Sequence, residues 1–335
     1  MKADLDRDEL AWRVKPEENP DWDYARNRQV LLKTPMAEYS TSAFTAPIKV
    51  SDRIFYGGNR DYPWQGLILG PFKGASYKVL DAVYFSFPNL TLKPIDVAFN
   101  TDTCVYSYEC EEGYITVKYS LRDTIDKVLL DVEAYKPCWF IPLLDSTSVE
   151  HWSSSHYNII MSRDSRFIVN PSAAPLRIIV GGFERFEPLN LELEWRYKLG
   201  DGFRRYEGGF VRFIERCRRI FIPWILYSPK GSMRVEATVP GGIPCIHRKP
   251  KVRRGLRLAR SMLAEAIYLR FETLYTYSTF LDGSWFPEAG SWWFRRPWIR
   301  DALEGIRWNL ETYIQVFGWK EKLLSLMDHL LGMLN

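Results

Sequence analysis

Between Ser291 and Gly305 the chain reads SWWFRRPWIRDALEG. Trp292, Trp293, Phe294 and Trp298 crowd against Arg300 and Asp301. A core excludes unpaired charge, and a solvated helix face has little use for so many large aromatics. Aromatic walls beside a fixed donor–acceptor pair suit a sugar ring. The rings pack on the apolar face of a pyranose, while a guanidinium and an ionised carboxylate hydrogen-bond its hydroxyls. Pro297 stands where a first helical residue belongs, which puts Asp301 in the first turn, where the helix dipole keeps it ionised. A second reading stays open: aromatics before a helix also form a hydrophobic staple, and Asp is ordinary in a first turn.

Two more carboxylates lie close by, Glu288 in the aromatic loop and Glu304 one turn after Asp301. Both are candidates for acid–base work. Glycoside hydrolysis needs two carboxylates on opposite sides of the scissile bond, and Asp301 and Glu304 share a helix face. Glu304 is therefore expected to pair with Arg300 or Arg307, and Glu288 to be a loop carboxylate. Other motifs offer less. His151 and His156 have no third ligand nearby, so no metal is expected. Ser153–Ser155 lack a nucleophile elbow. The segment YGGNRDYPWQG at 56–66 opens no helix and is no phosphate loop; its Arg60, Trp64 and Gln65 either contact the helical part or a sugar, or sit in an ordinary inter-strand loop. HRKPKVRR at 247–254 reads as a solvated linker. No cofactor is expected.

The elements that must position these residues follow from composition and period. The chain has 335 residues, 46% hydrophobic and 26% charged, the balance of a globular protein. A net charge of +4 argues against nucleic acid or an anionic membrane as main partner. There is no apolar run long enough to span a bilayer, and the charged start lacks the apolar region of a signal peptide. Five cysteines with no C-x-x-C point to reduced thiols and a cytoplasmic location. The scarcity of glutamine (Gln29, Gln65 and Gln315) beside abundant Arg, Glu and Tyr suggests a thermophilic source.

Residues 1–28 read as a polar arm or edge segment. Residues 29–240 carry many short β-branched or aromatic runs with turn signals between them, the pattern of a large antiparallel β-sandwich. The clearest hairpin is TCVYSYECEEGYITVKYSL, which alternates on both arms about Glu111-Glu112-Gly113. Residues 241–254 form a basic linker. From 255 to 335 the period becomes helical: one helix over roughly 252–280, then a loop DGSWFPEAGSWWFRR. A second helix carries Ile299, Leu303, Ile306, Leu310, Tyr313 and Phe317 on its apolar stripe and ends at Gly318. A third opens with Leu323, Leu324 and Met327. The apolar face of the third helix finds no partner in the sequence, so the helices read as the start of a larger array.

This order, with Ala289-Gly290, Trp293-Phe294 and then Trp298-Ile299-Arg300-Asp301, resembles the glycogen-debranching amylo-1,6-glucosidases and, more loosely, the glucoamylases of the same clan. Two residues depart from the debranching pattern: Trp292 stands where the family has Pro, and Ile299 where it has Gly. The spacer Arg295-Arg296-Pro297 is also about one residue longer than the family's. The resemblance implies a multidomain chain, a β-sandwich followed by the first helices of an incomplete (α/α)6 toroid. It implies that Arg300 and Asp301 bind the 4- and 6-hydroxyls of the non-reducing glucose, with Trp298, Trp292, Trp293 and Phe294 as walls. It also implies an α-glucan exo-hydrolase releasing glucose by inverting acid–base hydrolysis. The catalytic pair is then expected outside this chain, so the chain alone would be inactive, and a second polypeptide would complete the toroid. The alternatives are a non-catalytic α-glucan-binding or assembly subunit, and a trehalase-like toroid hydrolase.

Overall fold

A computed structural model describes residues 3–6, 11–14, 29–34, 36–43, 45–59, 65–72, 75–124, 126–149, 154–197, 216–239, 278–281, 284–287, 299–316 and 318–332. Its strands begin with β1 (Ala3–Asp6), β2 (Ala11–Val14), β3 (Gln29–Thr34), β4 (Ala37–Ser42), β5 (Ile48–Val50), β6 (Arg53–Phe55) and β7 (Gly66–Phe72). Then come β8 (Ala75–Ser86), β9 (Lys93–Phe99), β10 (Thr103–Cys110), β11 (Gly113–Asp123), β12 (Val128–Glu133), β13 (Cys138–Ser148) and β14 (Tyr157–Met161). The last are β15 (Phe167–Pro171), β16 (Arg177–Gly181), β17 (Arg185–Tyr197), β18 (Arg216–Ser228), β19 (Ser232–Thr238), β20 (Ser278–Leu281) and β21 (Ser284–Pro287). The α-helices among the described residues are α1 (Ile299–Glu311) and α2 (Lys320–Gly332).

The strands form two large antiparallel sheets. One has ten strands in the order β1-β2-β9-β10-β11-β12-β19-β16-β15-β14, and the other has seven, β17-β18-β13-β8-β7-β4-β3. Strands β1 and β2, from the segment read as an arm, join the ten-stranded sheet at its edge through β9. The hairpin legible in the sequence is β10–β11, in register from Thr103↔Ser120 to Cys110↔Gly113. Alternation explains the packing: Tyr106, Tyr108, Val117, Tyr119 and Leu121 point inward, and the residues between them point out.

The inner faces share one core, rich in tyrosine. Tyr39 stacks on Tyr119 at 5.7 Å, and Tyr106 meets Tyr119 edge-on at 5.8 Å. A buried phenol needs a partner for its hydroxyl, and here the partners lie on the opposite sheet. From the ten-stranded sheet Tyr106 donates to the Ser42 carbonyl at 3.0 Å and Tyr119 to the Val83 carbonyl at 2.9 Å. The Tyr108 and Thr45 hydroxyls lie 3.2 Å apart. Asp123, at the end of β11, accepts from the Thr34 hydroxyl and, at 2.9 Å, from the Met36 amide, tying the β3–β4 turn to the other sheet.

The outer face of the seven-stranded sheet is buried as well. Ala82, Tyr84, Ile141, Leu143, Ile220 and Ile222 form a second apolar cluster, joined by Val50 and Phe55 of the β5–β6 hairpin. Arg53 anchors that hairpin with a two-pronged ion pair to Glu187, at 2.7 and 2.9 Å, while its guanidinium lies 4.4 Å from the Trp139 ring centre. Beside the apolar cluster the same sheet carries buried charge. Lys78 Nζ donates to Asp81 Oδ1 at 2.6 Å and to Asp145 Oδ2 at 2.7 Å. Gln65 Nε2 donates to Asp81 Oδ2 at 2.5 Å, and Gln65 Oε1 accepts from the Asn59 amide at 2.9 Å. Lys33 and Glu38, directly opposite on β3 and β4, are buried in the same sheet. The charges of Lys78, Asp81 and Asp145 are tolerable because they meet one another.

The helix expected over 252–280 and the linker 241–254 lie outside the described residues, except at the helix's expected end. There, and in the loop expected after it, the chain forms a β-hairpin instead. Strands β20 and β21 pair from Ser278↔Pro287 to Leu281↔Ser284. Ser, Thr and Phe on β20 and the Asp282-Gly283 pair in the sequence between the strands are hairpin chemistry that the preceding helical period obscured. No described helix is long and apolar enough to cross a membrane.

Two outcomes test this packing. Replacing Lys78 by Met leaves Asp81 and Asp145 buried without their cation, so urea denaturation should show a loss of about 3–5 kcal/mol. Cys104 and Cys138 are buried, and burial pushes both thiols well above the usual cysteine range. Both should resist iodoacetamide near pH ~8.5 in the native protein and react once it is unfolded, as peptide mapping would show.

Candidate functional site

The site begins with the helical hairpin that carries Asp301. Helix α1 buries Ala302 and Ile306, and Tyr313 is buried in the single wider π turn, Thr312–Val316, that follows. Tyr313 stacks on Trp319 at 5.4 Å. Gly318 then reverses the chain with φ +65°, a backbone that side-chain-bearing residues rarely adopt. Its amide reaches the Ile314 carbonyl at 3.2 Å, and the Trp319 amide reaches that of Tyr313 at 2.9 Å. Helix α2 contributes Leu323, Leu326 and Leu330 to the same small core, which Phe286 of β21 completes. The ring of His329 meets Phe286 edge-on at 5.5 Å. Helix α1 is thereby fixed against β21 and α2.

On this support Arg300 Nε donates to Asp301 Oδ1 at 2.9 Å. The Arg300 side chain is 82% exposed and that of Asp301 34%, so both present free hydrogen-bonding capacity at an open helix start. Asp301 lies in the first turn of α1. Glu304 lies 3.6 Å from Arg307, both exposed, a helix-face ion pair one turn along. Asp301 and Glu304 fall on the same side of the helix, the wrong arrangement for two carboxylates that must flank a bond. The pair can bind hydroxyls; it is not an acid–base couple. Trp292, Trp293, Phe294, Trp298 and Glu288 lie outside the described residues.

Sequence reasoning passed over two features of α1. Trp308 is 80% exposed, the most exposed large hydrophobic side chain among the described residues. Gly305, one turn before it, has open space where a side chain would stand: beyond its chain neighbours and the backbone of its own helix, a methyl there would meet nothing within 4 Å. A glycine inside a helix costs about 1 kcal/mol relative to alanine, and packing gives no reason for this one. The signal was present in the spacing, because both residues fall off the apolar stripe. The exposed apolar residues Ile299, Leu303 and Leu310 lie on another side of α1, and Leu324, Met327 and Leu331 are exposed on α2. The stripe read from the sequence thus splits. Ile306 and Tyr313 face the hairpin's own core, while Ile299, Leu303 and Leu310, along the flank of the same stripe, stay exposed.

The remaining candidates have structural work. The Ser155 hydroxyl donates to the Ser146 carbonyl at 2.5 Å and accepts from the Ala173 amide at 3.1 Å, so it ties β13 to the loop after β15. His156 is exposed, whereas His151 and Ser153 lie outside the described residues. Gln65 is buried in the Lys78 network, and Arg60 and Trp64 lie outside the described residues. Among the described residues no group of three or more His, Cys, Asp or Glu is placed to hold a metal ion. A groove of about 210 Å³ crosses the outer face of the ten-stranded sheet, lined by Asp131, Glu133, Arg166, Arg234 and Glu236. Its charges largely satisfy one another. Asp131 accepts from Arg122 and, at 2.5 Å, from Arg234, whose pKa this bond raises, and Lys127 donates to Glu236 at 2.9 Å.

No protein-family model matches the chain, and the search of curated proteins gives no match.

Because Asp301 is partly exposed and outside the small core, Asp301→Asn should change stability by less than about 1 kcal/mol. Thermal unfolding followed by circular dichroism checks this, and it frees the same variant for binding experiments.

Proposed function

We propose that the chain carries the β-sandwich and the first toroid helices of an α-glucan exo-hydrolase, glucoamylase-like or glycogen-debranching α-1,6-glucosidase in kind. Arg300 and Asp301 hold the non-reducing glucose, and Trp292, Trp293, Phe294 and Trp298 wall it. The observation that carries this reading is the Arg300–Asp301 pair, bonded at 2.9 Å and open to solvent at the start of a helix fixed by its own core. A preset fork of donors beside a carboxylate acceptor matches the neighbouring 4- and 6-hydroxyls of a glucose, and the rigid helix lowers the ordering cost of binding.

The exposed apolar rows on α1 and α2 support the rest of the reading. Helices whose apolar stripe is wider than the face their own hairpin covers are built to be covered further, and other helices of the toroid, on this chain's partner or continuation, would cover them. Those helices supply the acid–base carboxylate pair, and glucose leaves after attack by water with inversion. The protein works in the cytoplasm and needs no cofactor.

The test is isothermal titration with maltose, maltoheptaose and trehalose. Maltose should bind, and Asp301→Asn should weaken it about tenfold, the loss of a charge-assisted hydrogen bond. Unchanged maltose affinity in that variant would remove the glucose subsite. Tighter binding of trehalose than of maltose would move the protein to the trehalase-like class.

A further inference from the structure

We infer that the face of α1 formed by Asp301, Glu304, Gly305 and Trp308 is a second saccharide subsite, in which a neutral pyranose stacks on the Trp308 indole above Gly305. Asp301, Glu304 and Trp308 follow one another at three- and four-residue spacing, which aligns them along one side of the helix. Helical side chains lean toward the N-terminus, so the patch Trp308 commands lies over the preceding turn. There Gly305 leaves open space: beyond its chain neighbours and the backbone of its own helix, nothing lies within 4 Å of where a methyl would be. An 80% exposed indole beside a packing-free glycine is a flat floor with room above it.

The surrounding chemistry selects the occupant. Glu304 and Arg307 lie 3.6 Å apart, and the Arg307 guanidinium is 6.0 Å from the Trp308 ring centre. Acceptors and donors of both signs thus rim one apolar platform. A sugar, apolar on its ring face and hydroxylated at its edges, satisfies that mixture. An anion does not, since Asp301 and Glu304 share the face. An apolar protein surface is also a poor fit, because the residues built for one, Ile299, Leu303 and Leu310, lie on the other side of α1. From Asp301 to Trp308 the helix rises about 10 Å, room for a glucan to run from one subsite to the next.

This rests on reading Arg300–Asp301 as a glucose subsite, and the experiment separates the two. Maltose and maltoheptaose are titrated into the wild type, Trp308→Ala, Gly305→Ala and Asp301→Asn, with circular dichroism to confirm folding. Trp308→Ala should bind maltoheptaose about tenfold more weakly while leaving maltose unchanged, the signature of one lost stacking platform. Gly305→Ala should raise the thermal midpoint, because alanine favours the helix, and yet weaken maltoheptaose. That opposition of sign is what a purely structural role would not produce. Wild-type maltoheptaose affinity in both Trp308→Ala and Gly305→Ala would overturn the second subsite, whatever Asp301→Asn does. Loss of maltoheptaose in Trp308→Ala alongside unchanged maltose in Asp301→Asn would uphold the platform and sink the glucose subsite.

Discussion

Three phenol hydroxyls buried between the two sheets each bond across the gap, and that pinning organises this molecule. Tyr39, Tyr106, Tyr108 and Tyr119 fill the gap, and Tyr106, Tyr108 and Tyr119 are the ones bonded across it. The bonds of Tyr106 to Ser42, Tyr119 to Val83 and Tyr108 to Thr45 each start on the ten-stranded sheet and end on the seven-stranded sheet or its adjoining loop. Apolar residues in these places would allow the sheets to slide, because hydrophobic burial has no direction. Tyrosines do not, because sliding would strand a hydroxyl in a medium that charges heavily for it. The same burial raises the pKa of Tyr39, Tyr106, Tyr108 and Tyr119, so the phenols stay neutral and able to donate.

Once the sheets are locked, their outer faces take different roles. That of the ten-stranded sheet carries ion pairs such as Arg122–Asp131–Arg234 and Lys127–Glu236, in which more exposed cations cover the buried carboxylates of Asp131 and Glu236. That of the seven-stranded sheet is internal. Half of it is apolar, from Ala82 to Ile225, and half is the network of Lys78, Asp81, Asp145 and Gln65. Such a network adds less stability than an apolar cluster of the same size, but it accepts only one arrangement of its members. Through Gln65 and the Asn59 amide, that arrangement fixes both ends of the segment that links β6 to β7.

The helical hairpin follows a different logic. Its core is small, and the π turn, the Gly318 reversal and the Tyr313–Trp319 stack set how α1 meets α2. The small core suffices to hold Arg300 and Asp301 on a rigid element rather than a loop, which is what a binding pair requires. The exposed apolar rows and the exposed Trp308 occupy different sides of α1, so one helix serves two distinct surfaces: one apolar, the other rimmed with charge.

Much of this was determined by the sequence alone. Alternating apolar and polar residues made the β10–β11 hairpin and the antiparallel class legible, and the three-four spacing with Gly318 marked α1 and α2, because both periods are local properties of the backbone. The pairing of Arg300 with Asp301 was legible for the same reason, since adjacent residues cannot be far apart. Three other things were decided only in three dimensions. Nothing in the sequence tied Lys78 and Asp81 to Asp145, and only the pairing of β8 with β13 brings Asp145 within hydrogen-bond distance of Lys78. The β20–β21 hairpin lay hidden at the end of a helical pattern, because a four-residue strand gains its stability from its partner rather than from its own period. The apolar stripe of α1 did not say which of its residues would be covered. Burial is a property of neighbours, so Ile306 went inside and Ile299 and Leu303 stayed out when Phe286, Trp319 and Leu326 packed on one side of it.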